Sequence, residues 1–236
     1  MNDKGKKMKD SASKELWLEL EKEIPNHSFT LGPYTTQAYY DDPACLAFMT
    51  SRYKFCAKML AGLDIVLEIG CGDGFGGAIV AQNVDKVICT DINDALLENN
   101  KTRMKHFSNI EYRYHNFTEK PYPHKVDGIY LVDVIEHIFH NEESNFLFNI
   151  IASLNDNGVC IIGTPNIAAE EFASKYSKAG HINLKDHKAL KSIGEEYFNN
   201  SFLFGMNDEM IHTGFPQMSH YLWILCSGQK INDKTL

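Results

Sequence analysis

No run of even about 18 consecutive apolar residues occurs in this chain, so no segment offers the length that a membrane-crossing helix needs. The opening residues, Met1 to Asp10, lack the apolar stretch of a secretory signal, and a cytoplasmic location without membrane insertion is expected. Closely spaced cysteine pairs are also missing. The six cysteines, Cys45, Cys56, Cys71, Cys89, Cys160 and Cys226, are scattered, which argues against a zinc ribbon, a dithiol redox site or a disulfide framework. Basic charge is in short supply: 23 Lys and Arg against 31 Asp and Glu leave a formal net charge of −8. That sign is wrong for tracking a phosphate backbone, and polymeric nucleic acid is not an expected partner. The lysines at positions 4, 6, 7 and 9 form a basic cluster read as a solvated, disordered tail. Internal repeats and low-complexity segments are lacking as well, and nothing in the residues bears on oligomeric state.

What is present is an ordinary globular composition, 44% apolar and 23% charged over 236 residues, enough for one α/β domain with a lead-in segment. Leu16, Trp17 and Leu20 recur at helical spacing before Pro25, and Asp42-Pro43 reads as a helix start for an amphipathic run through Leu60. Residues 1–60 are therefore read as a disordered tail and helical cap, and 61–236 as the main domain. From Ile65 onward strands and helices alternate: strands at 65–69, 86–90, 110–114, 128–132 and 158–163, with helices near 76–83, 93–105 and 142–154. Such alternation predicts a Rossmann-like α/β fold, a mostly parallel sheet with helices on both faces. Two late strands, 201–205 and 220–226, lack a strong helix between them and are expected to close a seven-stranded sheet with antiparallel pairing at its C-terminal end.

The first strand runs into Glu68-Ile-Gly-Cys-Gly-Asp-Gly-Phe-Gly76, a glycine-rich turn where a ligand can approach the backbone closely. The same residues spell a dinucleotide fingerprint, Gly72 to Gly77, so an NAD(P)-dependent oxidoreductase is one reading. Counted from the strand, however, the loop glycines are Gly70, Gly72 and Gly74, which is not the dinucleotide register. Glu68 adds a carboxylate that suits a cationic cofactor better than a pyrophosphate. Asp91, at the end of the second strand, is placed to accept hydrogen bonds from ribose hydroxyls. Together, Val66 to Gly76 and Thr90-Asp91-Ile92 resemble the first two motifs of the class I S-adenosylmethionine-dependent methyltransferases, the resemblance extending over roughly residues 60–228. It implies Gly70, Cys71 and Gly72 on the methionine part of the cofactor, Asp91 on the ribose, Ile92 against the adenine, Asn116 and Phe117 at the adenine edge, and Asp133 and Val134 beside the methyl-transfer centre. A catalytically silent cofactor-binding module is a third reading.

The Asn/Asp-Pro-Pro-aromatic run of many amino-methylating enzymes is missing after the fourth strand, where the chain reads Asp133-Val-Ile-Glu-His137. Carboxylates and a histidine suit removal of a hydroxyl proton, since an alcohol is a poor nucleophile until that proton is leaving. The expected reaction is O-methylation of a small polar acceptor such as a sugar, a sugar nucleotide, a phosphorylated metabolite or a phenol, with Glu136, His137 and His181 as candidate catalytic residues. His181-Ile-Asn183 resembles the loop over the acceptor pocket in ubiquinone-biosynthesis O-methyltransferases. Asp133, Glu136 and His137 share a face if the strand runs straight into a helix. With His181 they resemble the metal-binding run of O-methyltransferases that modify small RNA ends or ubiquinone precursors, implying a divalent cation, manganese before magnesium. A metal-free acid/base cluster is the alternative. Tyr34, Tyr39, Tyr40, Arg52 and Tyr53 are candidates to close over the cofactor, and the 206–220 segment, with His212 and His220, to wall the acceptor pocket.

Overall fold

The computed structural model describes residues 11–230; the lysine cluster at 4–9 lies outside them. The chain divides between Thr30 and Leu31. The first unit carries helix α1, Ala12–Glu21, whose first turn is capped by the Ser11 hydroxyl accepting from the Lys14 N–H. Its Leu16, Trp17 and Leu20, which supply the helical spacing, are all exposed.

The second unit opens with two helices, α2 (Pro33–Asp41) and α3 (Cys45–Met59). Helix α2 occupies a Gly/Pro/Tyr stretch in which no helix is expected from the residues alone. Proline is tolerated at its first position because the missing N–H would have had no partner there. The first-turn N–H of Thr35 is satisfied from a distance, by Asp73 Oδ2 at 2.6 Å. Helix α3 begins just beyond Asp42-Pro43, with the Asp42 carboxylate accepting from Ala44 N–H at 3.0 Å.

The remaining elements are β1 (Ile65–Ile69), α4 (Gly77–Val80), β2 (Lys86–Asp91), α5 (Asp94–Arg103), β3 (Ile110–Tyr114), β4 (Val126–Val132), α6 (His140–Ala152), β5 (Leu154–Pro165), α7 (Lys175–Gly180), α8 (His187–Tyr197), β6 (Phe198–Asn207), β7 (Met210–His212) and β8 (Tyr221–Gln229). They form one sheet in the order β3-β2-β1-β4-β5-β8-β6-β7. Strands β1 to β5 pair in parallel, and β8 inserts antiparallel between β5 and β6. The expectation of seven strands is one short. The extra strand, β7, pairs three residues with the end of β6 inside the segment read as a loop, and three residues are too few to show alternation.

Both faces of the sheet are buried, which is why its strands read as continuous apolar runs. Leu67, Ile69, Ile129, Leu131, Ile162, Leu222 and Ile224 face one core with α6 and α8. Val66, Cys89, Tyr130, Val132, Ile161 and Trp223 face the other, against α3 and α4. All six cysteines are free and buried. Among the described residues no helix is long and apolar enough to cross a membrane.

The fully buried indole of Trp223 lies over Gly163, where an added Cβ would stand 2.5 Å from the ring. Gly163→Ala is expected to overpack this contact and lower unfolding stability by about 1–3 kcal/mol, measured by urea denaturation. A wild-type midpoint would show that the strand can shift to accommodate the methyl group.

Candidate active site

Strand β1 delivers the chain into a turn that only glycine enters without strain: Gly70, Gly72 and Gly74 have φ of 68°, 49° and 65°. These are the glycines counted from the strand. Space as well as dihedral angle restricts two of them. A Cβ on Gly70 would lie 2.6 Å from Val134 Cγ2, and one on Gly74 2.7 Å from the Tyr112 ring, whereas at Gly72 the nearest neighbour is Tyr34 at 3.9 Å. Gly72 is thus where the backbone lies most open to a ligand. Hydrogen bonds brace the turn from two elements: Cys71 N–H to Thr90 O at 2.9 Å and Gly72 N–H to Asp91 Oδ2 at 3.0 Å from β2, Asn100 Nδ2 to Gly72 O at 2.7 Å and Arg103 Nη2 to Asp73 O at 2.5 Å from α5.

Two carboxylates flank the turn differently. Asp91 uses Oδ1 on the Asn93 N–H, at 3.0 Å, and Oδ2 on Gly72, so it joins the ends of β1 and β2. Glu68 shares the strand face of Val66 and is 2% exposed, its Oε2 accepting from the Cys89 thiol at 3.1 Å. Burial pushes its carboxyl up to about 7. The Cβ positions of Gly76 and Gly77 are filled by Tyr53 and by Cys89 with Glu68, so Gly76 lets the start of α4 pack closely on α3 and Gly77 lets it pack closely on the sheet.

At the end of β4 the chain does not run straight into a helix. Asp133 adopts a left-handed φ of 57°, uncommon for a residue with a Cβ, and a single 3₁₀ turn, Ile135–His137, follows. That turn separates Asp133 from its expected partners: its carboxylate pairs with Arg52 Nη1 at 2.7 Å. Glu136, His137 and His181 do come together, with one ligand atom from each lying within 4.8 Å of the others. Glu136 is fully buried; Oε2 accepts from Thr164 Oγ1 at 3.0 Å, and Oε1 has no partner. Burial, followed by the nearby Asp133 charge, pushes its carboxyl up to about 8. His137 Nδ1 lies 2.9 Å from Gly180 O, which can only accept, so Nδ1 carries a proton and Nε2 is the nitrogen turned away from that bond. Burial and then His137 hold His181 below the usual histidine range.

Beside this cluster opens a cavity of about 340 Å³, lined by His181, Arg52, Tyr221, Asn166, Phe172 and His220 among others. The Arg52 guanidinium lies 3.9 Å over the Tyr221 ring. Arg52 Nε is buried without a hydrogen-bond partner, and the Tyr221 hydroxyl sits beside Asp133.

Comparisons with known proteins fit this geometry. A methyltransferase-domain family model matches residues 66–158. A probable S-adenosylmethionine-dependent methyltransferase from Mycolicibacterium smegmatis is 32% identical over 115 residues, covering 48% of this chain and 42% of that protein. A probable methyltransferase from Mycobacterium tuberculosis is 29% identical over 102 residues, covering 43% of this chain and 35% of its own length. The match thus spans less than half of these relatives. Among solved structures, the methyltransferase domain of bacterial CtHen1 superposes with a TM-score of 0.64 at 15% identity, covering 76% of this chain and 98% of that one. The N-methyltransferase NodS from Bradyrhizobium japonicum, in complex with S-adenosyl-L-homocysteine, gives 0.62 at 15% identity, covering 90% and 97%. Over residues 66–158 the chain is similar to a methyltransferase domain, and its sheet has the fold of these methyltransferase structures.

The residues expected at the cofactor divide by position. Gly70, Gly72, Gly74, Asp91 and an exposed Ile92 gather where β1 and β2 end. Cys71 and Phe117 are buried, Asn116 caps its own turn through Thr118, and Val134 packs on Gly70. Of the outlying histidines, His220 lines the cavity and His212 accepts from Gly214 N–H. Sequence reasoning missed Asp73, which caps α2 from inside the glycine turn, and Thr164 and Tyr221, which no motif marks.

Because the Glu68 carboxyl titrates near 7 when folded and near an ordinary 4.5 when unfolded, the folded state holds the extra proton between those values. Its contribution to stability is complete below about pH 4.5 and lost as pH rises through about 7. Glu68→Gln is therefore expected to flatten the fall in melting temperature between pH 5 and 7. An unchanged slope would show that Glu68 is ionised in the folded protein.

Proposed function

We propose that this protein transfers a methyl group from S-adenosylmethionine to a hydroxyl oxygen of a small polar acceptor: a sugar, a sugar nucleotide, a phosphorylated metabolite or a phenol. The observation that carries the reading is the Glu136, His137 and His181 cluster, with an unpartnered carboxylate oxygen, beside a cavity of about 340 Å³. S-adenosylmethionine supplies an electrophilic methyl group when bound. Gly70, Cys71 and Gly72 would receive its methionine part, Asp91 its ribose, Ile92, Asn116 and Phe117 its adenine. Asp133 and Val134 would lie beside the transfer centre, and the buried Glu68 would support the turn from below. A positioned acceptor in line with the methyl group is the main requirement of such a displacement.

The cluster also fits a divalent cation. Two imidazoles and a carboxylate suit manganese, iron or zinc more than magnesium, and the orphaned Glu136 Oε1 is a donor atom awaiting a partner. Glu136, His137 and His181 would hold the ion, with Asp133 left to Arg52; such an ion makes a hydroxyl more acidic and orients neighbouring oxygens. Without it, the same residues would accept the acceptor's proton directly. The NAD(P)-dependent reading is not favoured by the matches, and a thermal-shift comparison tests it: stabilisation by S-adenosylhomocysteine and none by NAD is expected.

Asp91→Ala is expected to weaken S-adenosylhomocysteine binding by about 100-fold or more, since two hydrogen bonds to a charged acceptor contribute roughly 1.5–3 kcal/mol each. An unchanged dissociation constant by calorimetry would remove Asp91 from the site. For the cluster, the measurement is transfer of labelled methyl groups to a panel of sugars, sugar nucleotides and phenols by exhaustively chelated enzyme. Activity is expected to return with manganese in the wild type and not in His181→Ala. Full activity after verified metal removal would overturn the metal, and a fully active Glu136→Ala/His137→Ala variant would overturn the direct base as well.

A further inference from the structure

His181 reaches the cluster on a segment that does little to hold itself in place. Neither the 3₁₀ turn Ile167–Phe172 nor helix α7 contains a buried residue, and the six residues of α7 end at Gly180 with the His181 N–H bonded to Ser177 O at 2.8 Å. Burial resumes immediately afterwards: Asn183 is 1% exposed and Lys185 5%. A lysine so deeply buried demands a counter-charge, and Glu143 Oε2 on α6 lies 2.5 Å from its Nζ.

Asn183 sits between the two charges with every side-chain group engaged. Its Oδ1 accepts from Lys185 Nζ, and its Nδ2 donates to Glu143 Oε2 at 2.5 Å and to Ile138 O at 2.9 Å. Its backbone N–H donates to the carbonyl of Glu136 itself at 3.0 Å. The backbone of Lys185 closes the other side, its carbonyl accepting from Ile167 N–H at 3.0 Å beside a bridge to Asn166. The loop carrying His181 is thus pinned by Asn183 to the turn carrying Glu136 and His137, and by Lys185 and Glu143 to α6.

We infer that Glu143, Asn183 and Lys185 are positioning residues, a buried ionic clamp that sets the approach of His181 to Glu136 and His137. A buried ion pair is a poor source of net stability because desolvation opposes the attraction, but its directional bonds favour one placement over others. An apolar pair would fill the same volume without aiming Asn183. The inference rests on the reading of the cluster as the catalytic centre, and it also makes a statement about the His137–His181 ring contact, now 5.1 Å between centroids, that holds whether or not a metal binds.

The test compares wild type, Lys185→Met, Asn183→Ala and Lys185→Met/Glu143→Met, the last leaving no unpaired buried charge. Three readouts are taken: the nuclear Overhauser contact between the two imidazole rings, manganese affinity by electron paramagnetic resonance, and S-adenosylhomocysteine affinity with melting temperature as controls. Expected are loss of the ring contact and a fall of roughly 10–100-fold in manganese affinity, with cofactor-product affinity unchanged and the double variant melting close to wild type. Retained ring contact in the folded variants would overturn the clamp. If the wild type binds no manganese, the metal of the proposed function fails, and the ring contact alone decides the clamp.

Discussion

A backbone forced through left-handed conformations at Gly70, Gly72 and Gly74 within five residues is the constraint from which the site follows. Such a turn cannot stabilise itself, since each glycine loses more conformational freedom on folding than any other residue would. The bonds that hold it come from Thr90 and Asp91 at the end of β2 and from Asn100 and Arg103 on α5. The turn in its own right supports another element: Asp73, at its centre, caps the first turn of α2. A polar side chain that looks spare in the sequence thereby connects the glycine turn to the helices beside it.

Most of this was legible because the periodicities are strong where the chain is doubly covered. The strands β1 and β3 match their expected limits, and β2 and β4 differ by one or two residues, because apolar runs bounded by charge or glycine leave little freedom of register. Helix α2 was not legible, since the residue that caps it lies 38 positions away from Thr35 and no local pattern announces that bond. Strand β7 was hidden by its brevity.

The candidate site at the end of β4 divides the same way. Glu136, His137 and His181, singled out by residue type as a proton-removing cluster or as metal ligands, do converge. Asp133 does not join them, because a helical face presumes helical dihedrals and Asp133 turns left-handed at φ 57°. Spacing arguments at strand ends therefore carry over only as far as the backbone stays regular. The turn is itself informative: it aims the Asp133 carboxylate at Arg52, so an acid expected to hold a ligand holds a helix in place.

That helix, α3, joins the two halves of the site. Tyr53 fills the space over Gly76 beside the glycine turn, Arg52 binds Asp133 at the end of β4, and Phe48 lines the cavity next to His181. The three residues lie within six positions on one rigid element, so a displacement at one contact is transmitted to the others without any change inside the helix.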